Sequence, residues 1–343
     1  MDATTAQRIY LVRYPDGMPT DADLKLESMP MPRPGADEML LRTIYLSLDP
    51  YMRGRMSPAK SYAKGIKPGD TMVGATVSEV MESNLDGFAP GDIVLSYDGW
   101  QTHAVSNGKG VVKLDPKAAP ITTALGVLGM PGFTAYAGLL LHGRPKEGET
   151  VVVSAASGAV GQIVGQIARI KGCRAVGIAG ADDKCRMILE EFGFDAAVNY
   201  KDKDFRDRLA EACPKGIDVY FENVGGDVFR AALPLLNDFA RIPVCGRIAH
   251  YNDTGLPEGP DRLAQFMGLV LMKRLSVRGF IQFDHLDMMP DFRRDMAAWI
   301  HEGKVRYRED IVEGLENTVE AFRGLLTGRN RGKLIVQVSD DPT

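Results

Sequence analysis

At 150–168 the sequence reads TVVVSAASGAVGQIVGQIA: an apolar, β-branched run, a turn of small residues, then apolar residues at helical spacing. The turn Ala156-Ser157-Gly158-Ala159-Val160-Gly161 is G-x-G-x-x-G with alanine in the first position. The pattern is weak alone, but a strand running into it and a helix leaving it supply the context of a dinucleotide site. Gly158 lets the backbone approach a pyrophosphate, Gly161 lets the helix close on the strand, and the helix N-terminus offers free N–H groups to the anion.

The surrounding text fits such a site. From 150 to about 282, strands at 150–154, 174–179, 196–200, 217–223, 240–246 and 275–282 alternate with helical stretches such as 160–172 and 183–193. Buried strands alternating with helices imply a parallel sheet covered on both faces. From about 7 to 115 the text is β-like, with strands at 40–48, 71–82 and 91–97 divided by Pro- and Gly-containing turns. A charged helix at 315–326 and a final strand at 333–338 follow, and that strand finds its natural partner in the β-rich half. The expected fold is α/β: a doubly wound parallel sheet at 129–295, and a β-rich domain assembled from 1–128 and 296–343.

Composition narrows the partners. The net charge of −4 excludes a strong basic field, so nucleic acid is not an expected partner. Two long uncharged runs, 118–143 and 150–168, are broken by Pro131-Gly132 and by Ser-Gly turns, so neither reads as a membrane span. The 37 glycines are about 11% of the chain against a usual ~7%, and they matter where they cluster. The four cysteines, 173, 185, 213 and 245, form no Cys-x-x-Cys pair and are too sparse for a disulfide framework or a zinc lobe. With no apolar signal core at the N-terminus, a reducing, cytoplasmic location is expected.

The second strand bears on which dinucleotide binds. An acid at its end would bind the ribose 2′-hydroxyl and favour NAD. Here the strand closes on Ala179-Gly180, and Asp182-Asp183 read as an N-cap and first-turn acids of the next helix. With small residues at the strand end and Lys184 just beyond, a 2′-phosphate is accommodated, so NADP is expected.

These segments together resemble a known family. LSLDPYMRGRM (46–56), MPGFTAYAGL (130–139), AASGAVG (155–161), AGADDK (179–184), FENVGG (221–226), CGRIAHYN (245–252), RGFI (278–281) and GRNRGKLIV (328–336) are similar to the zinc-free branch of the medium-chain dehydrogenase/reductase superfamily. Within it they resemble the prostaglandin reductase, leukotriene hydroxydehydrogenase and alkenal double-bond reductase group. The resemblance implies a Rossmann domain with a GroES-like domain, a cleft between them, and a homodimer, with 275–283 as an exposed edge able to pair.

Carried over by position, the resemblance assigns Ser157, Gly158, Ala159, Val160 and Gly161 to the pyrophosphate and Lys184 to the 2′-phosphate. Tyr200 falls near the adenosine phosphate end and Asn223 at the end of the fourth strand. Cys245, Gly246, Tyr251 and Asn252 flank the cofactor, Phe280, Ile281 and Gln282 lie along the nicotinamide, and Asn330 contributes from the C-terminal segment. Without the resemblance, Asn223–Gly226 is equally a plain turn and Cys245 a buried core thiol. Zinc enzymes of the superfamily take ligands from the N-terminal domain. Here every cysteine lies within 173–245, and His103 is the one histidine before 142, so no metal is expected.

A site without metal suits conjugate reduction better than alcohol oxidation. The expected activity is NADPH-dependent reduction of the C=C bond of α,β-unsaturated ketones or aldehydes. Hydride adds to the β-carbon, and a hydrogen-bond donor meets the developing oxyanion. Tyr51, after the turn Asp49-Pro50, matches the family's active-site tyrosine and is the candidate donor, with a barrel-edge aromatic as the alternative. Arg53 and Arg55 read as surface or phosphate-proximal residues. Some relatives carry a second tyrosine eight residues before the Phe280 position, where this chain has Met272. A quinone oxidoreductase of the same superfamily and a non-catalytic NADPH-binding protein are the alternative readings.

Overall fold

A computed structural model of the chain describes residues 4–256 and 259–343. The chain divides into two units, one of Met1–Gly126 with Glu309–Thr343 and one of Val127–Arg308.

The first unit begins with β1 (Thr5–Leu11), β2 (Leu24–Pro30), β3 (Met39–Ser47), a short helix α1 (Tyr51–Arg55), β4 (Thr76–Ser83), β5 (Ile93–Ser96), β6 (His103–Ser106) and β7 (Val112–Lys113). The second unit follows as α2 (Met130–Ala137), β8 (Thr150–Ser154), α3 (Gly161–Ile170), β9 (Arg174–Ala179), α4 (Asp182–Glu190), β10 (Ala196–Asn199), α5 (Phe205–Ala212), β11 (Ile217–Phe221), α6 (Gly226–Ala232), β12 (Leu236–Val244), α7 (Leu263–Lys273), β13 (Ser276–Gly279) and α8 (Met289–His301). The chain then returns to the first unit with β14 (Glu309–Glu313), α9 (Thr318–Leu326) and β15 (Lys333–Gln337).

In the first unit β15 pairs antiparallel with β3 through Ile335↔Ser47, and the sheet runs β14-β15-β3-β4-β5-β7, with β6 also on β3. Leu46 of β3 and Val336 of β15 share one core with Trp100 and with Phe322 of α9.

The second unit is a six-stranded parallel sheet in the order β10-β9-β8-β11-β12-β13. The chain winds outward from β8 through β9 to β10, then restarts at β11 on the other side of β8. The reversal of order lies between β8 and β11, where such sheets bind ligands at strand carboxyl ends. Val151 and Val153 face one apolar core and Val152 the other, so the β-branched run of β8 is buried on both sides.

The structure corrects the boundary expected at 296. The return to the first unit comes at 309, because α8 belongs to the second unit's core. Phe292 and Met296 are fully buried there, Phe292 packs on Phe133 and Tyr136 with ring centroids 5.4 and 5.7 Å apart, and Tyr136 donates to Asp295 at 2.7 Å. The chain past α8 is held to α3 by Gln166 and Gln162, whose Oε1 atoms accept from Arg306 and Arg308 backbone N–H groups at 2.8 and 2.9 Å.

Candidate cofactor cradle and hydrogen-bond donor

The cradle starts where β8 stops. Ser154 ends the strand, and Ala155 turns the chain with a left-handed φ of 51°. Gly158 N–H closes the turn on Ala155 O at 3.0 Å, and Gln162 N–H bonds Gly158 O at 3.0 Å to start α3. A Cβ on Gly161 would collide with the Ala155 carbonyl and lie 2.7 Å from Ala156 Cα, so only glycine lets α3 sit this close to β8. A Cβ on Gly158 would meet a single atom, Ala155 O at 3.3 Å, with open space beyond. Ser157 is buried, while Ala159 and Val160 are half-buried at the helix start.

At the next strand end, β9 finishes on Ala179, and Ala181 takes the N-cap of α4. Asp182 and Asp183 both lie in the first helical turn, which corrects the expected N-cap role. Asp182 accepts from Asn199 Nδ2 at 2.8 Å, so its carboxylate is tied to β10. No acid stands at the end of β9. Lys184 is 8% exposed, and the Tyr200 ring covers Gly180, where a Cβ would come within 2.8 Å of it.

The ends of β8, β11 and β12 meet in one hydrogen-bonded knot. Ser154 Oγ donates to Glu222 Oε1 at 3.0 Å and accepts from Asn223 N–H at 2.8 Å, and Asn223 Nδ2 donates to Ser154 O at 2.8 Å. Glu222 Oε1 also accepts from the N–H groups of Val224 and Gly225, at 2.5 and 2.9 Å. Gly225 has a φ of 80°, which glycine adopts without strain. Burial pushes the Glu222 carboxyl above its ordinary range against the pull of these donors. The Glu222 carbonyl accepts from Cys245 and Gly246 N–H at 2.9 and 3.1 Å. Burial, with Glu222 adding, pushes the Cys245 thiol up to about 12, so it stays a protonated wall residue. Tyr251 and Asn252 are half-buried, and the Tyr251 hydroxyl would stand 3.2 Å from a Cβ on Gly246.

Sequence reasoning missed Ser154 and Glu222. The available signal was a charged residue directly after the apolar run Val219-Tyr220-Phe221. Phe280 is placed differently from its two neighbours. Its ring is 8% exposed and packs on His142 and Phe221, with centroids 5.2 and 6.1 Å apart, which leaves its backbone rather than its ring for contact with a ligand. Ile281 is half-buried and Gln282 buried.

Tyr51 and Asn330 belong to the first unit. Tyr51 opens α1 and is half-buried, and burial followed by the nearby Asp49 pushes its phenol well above the usual range. Asp49 is itself anchored, accepting from Ser47 Oγ and from the fully buried Lys333 Nζ at 3.0 Å. Lys333 also donates to Leu48 O at 2.6 Å, so β15 pins the turn that presents Tyr51. The expectation that Arg53 and Arg55 are surface residues is overturned, since they are 6% and 8% exposed. Arg53 donates to Gly17 O at 2.8 Å, while the Arg55 guanidinium lies 5.3 Å from the Tyr51 ring centre and 4.7 Å from that of Tyr62. The sequence could not show this, because it depends on where 12–20 and 57–66 fold. Asn330 is half-buried, its Nδ2 donating to Gly332 O at 2.8 Å.

Two family models match the chain, the N-terminal domain of oxidoreductase over residues 7–114 and the zinc-binding dehydrogenase over 159–302. The chain is 52% identical over 336 residues to the NADPH-dependent curcumin reductase of Escherichia coli, covering 98% of this chain and 97% of the relative. It is 40% identical to the 2-alkenal reductase (NADP(+)-dependent) of Nicotiana tabacum, covering 97% of each. The solved structure of CurA in complex with NADPH from Vibrio vulnificus superposes with a TM-score of 0.95 at 51% identity, covering 98% of this chain and all of that one.

The chain belongs to the medium-chain dehydrogenase/reductase superfamily. Within it, the chain falls in the group of curcumin, prostaglandin and alkenal reductases, with the Rossmann and GroES-like domains of that group. Although the second model is described as zinc-binding, its residues in this chain do not fit the metal. Among the described residues no group of three His, Cys, Asp or Glu side chains is placed to hold an ion. All four thiols have their pKa pushed up by burial, to about 11 for Cys173 and Cys185 and about 12 for Cys213 and Cys245.

Proposed function

We propose that the chain is an NADPH-dependent reductase of the C=C bond in α,β-unsaturated ketones and aldehydes. The observation that carries the cofactor is the β8 turn, with Gly158 open to approach, together with the lack of an acid at the end of β9 and Lys184 following in the first turn of α4. The reaction class is supported by full-length likeness to enzymes named as reductases of curcumin and of 2-alkenals.

Ser157, Gly158, Ala159, Val160 and Gly161 would hold the pyrophosphate, Lys184 the 2′-phosphate, and Tyr200 the adenosine end. Asn223, Gly246, Tyr251 and Asn252, with Cys245 as an inert wall, would line the cradle. Ile281 and Gln282, with the backbone of Phe280, would border the nicotinamide, and Asn330 would add a contact. Bound NADPH supplies a hydride to the β-carbon of the enone. Tyr51 donates a hydrogen bond to the carbonyl oxygen, where negative charge gathers as the β-carbon is reduced. Its raised pKa keeps that proton in place, so the phenol acts as a neutral donor at neutral pH. The α-carbon then takes a proton from solvent or through a relay.

We further infer a homodimer and a cytoplasmic location. The edge strand β13 is exposed at all four residues, and α7 before it exposes Leu263, Met267, Leu271 and Met272. Four free cysteines suit a reducing compartment.

A panel of enones, enals, quinones and saturated aldehydes, followed by NADPH absorbance and product identification, tests the substrate class. Saturated ketones and aldehydes from the enones and enals are expected. Rapid quinone reduction with no turnover of enones would replace this reading with the quinone oxidoreductase alternative.

A further inference from the structure

Glu222 directly follows β11 with its carboxyl inside the second unit, 3% exposed, and its two oxygens have different surroundings. Oε1 gathers three donors, Ser154 Oγ and the N–H groups of Val224 and Gly225. Oε2 is buried with no hydrogen-bond partner among the described residues. A carboxyl with one saturated oxygen and one bare one is best accommodated with its proton on the bare oxygen, because an unpaired buried charge is costly. Of the titratable side chains facing it, Tyr220 is buried and Cys245 half-buried, and burial raises the pKa of both.

The three donors come from two places that the fold must hold together, the end of β8 and the turn after β11. The Glu222 backbone joins a third, since its carbonyl accepts from Cys245 and Gly246 at the end of β12 and its N–H donates to Pro243 O at 2.9 Å. One residue therefore ties the three strand ends that border the order reversal of the sheet.

We propose that Glu222 is a positioning residue for the cofactor: its carboxyl sets the 223–226 turn against the end of β8 and so shapes the cradle wall without touching the ligand. This inference rests on the NADPH reading above. It also specifies what the carboxyl must do. Only an acceptor at Oε1 is required, so an amide serves as well as an acid, whereas truncation leaves the Val224 and Gly225 N–H groups without their acceptor and the Ser154 hydroxyl with only the Phe221 carbonyl, at 3.2 Å.

The test compares Glu222→Ala, Glu222→Gln and Ser154→Ala in the full chain, measuring NADPH dissociation constants, KM for NADPH and kcat at saturating NADPH, with thermal melting to report folding. Two backbone N–H groups left without a buried acceptor loosen the turn, so Glu222→Ala is expected to weaken NADPH binding by about 10- to 100-fold while kcat at saturation changes little. Glu222→Gln is expected to recover most of that loss, a rescue that does not follow if the site needs a charge. If Glu222→Ala does not fold, Ser154→Ala decides, because it removes one of the three donors and the acceptor of Asn223 N–H, and weakened NADPH binding is expected. Native affinity in a folded Glu222→Ala, native affinity in Ser154→Ala, or no rescue by glutamine would overturn the role. A wild-type chain that fails to bind NADPH would instead overturn the cofactor reading itself.

Discussion

Tyr51 works through what surrounds it. A phenol in water is a modest donor that ionises at high pH. Half-buried beside Asp49, this one has its pKa raised and keeps its proton. Asp49 is held by the fully buried Lys333, whose own pKa burial pulls down while Asp49 pulls it up. Removing one donor to a developing oxyanion costs roughly 10²–10³ in turnover where it has been measured in other enzymes. For Tyr51→Phe we expect about a 100-fold fall in kcat on an enone, with the NADPH dissociation constant unchanged. Full turnover in that variant would remove the donor role. At this scale the sequence was uneven. The tight turn at Gly158 and the close helix approach at Gly161 were legible because each depends on its own stretch of backbone. Ser154, Glu222 and Arg53 were not, because each bonds to a group brought to it by a distant segment, such as Gly17 for Arg53 and Ser154 for Glu222.

Local patterning located the elements well and their ends less well. β8 and β9 occupy the expected 150–154 and 174–179, since an unbroken β-branched run buried on both faces leaves little freedom. β12 starts at Leu236, four residues before the expected 240, across Phe239 with a φ of 62° and a shift of register against β11. A polar Asn-Asp-Phe stretch before an apolar run gives no hint of such an irregularity. The edge strand β13 spans 276–279 and presents Ser276, Val277, Arg278 and Gly279 to solvent. An unpaired edge continuous with exposed apolar residues invites pairing with a second copy. Sedimentation of the wild-type chain is expected to give twice the chain mass, and Val277→Pro to shift it toward the monomer, since proline removes a ladder donor. A wild-type chain that sediments as a monomer would contradict the dimer.

At the scale of the whole chain, the two-unit organisation was readable because the text changes from strand-and-turn to strand-and-helix and back. The point of return was not. α8 looks from sequence like any amphipathic helix, and only the burial of Phe292 against Phe133 and Tyr136 shows that it completes the second unit's core. Each unit carries one part of the proposed chemistry, the first an anchored, protonated phenol and the second a glycine turn with no acid at the end of the next strand. Full-length likeness to curcumin and alkenal reductases supports combining these parts in conjugate reduction. The most direct measurement supplies NADPH deuterated at the transferable position and locates the label in the product of a simple enone by NMR. Deuterium on the β-carbon of the saturated ketone is the expected result. Deuterium on the carbonyl carbon of an allylic alcohol, or an unlabelled product, would contradict the account.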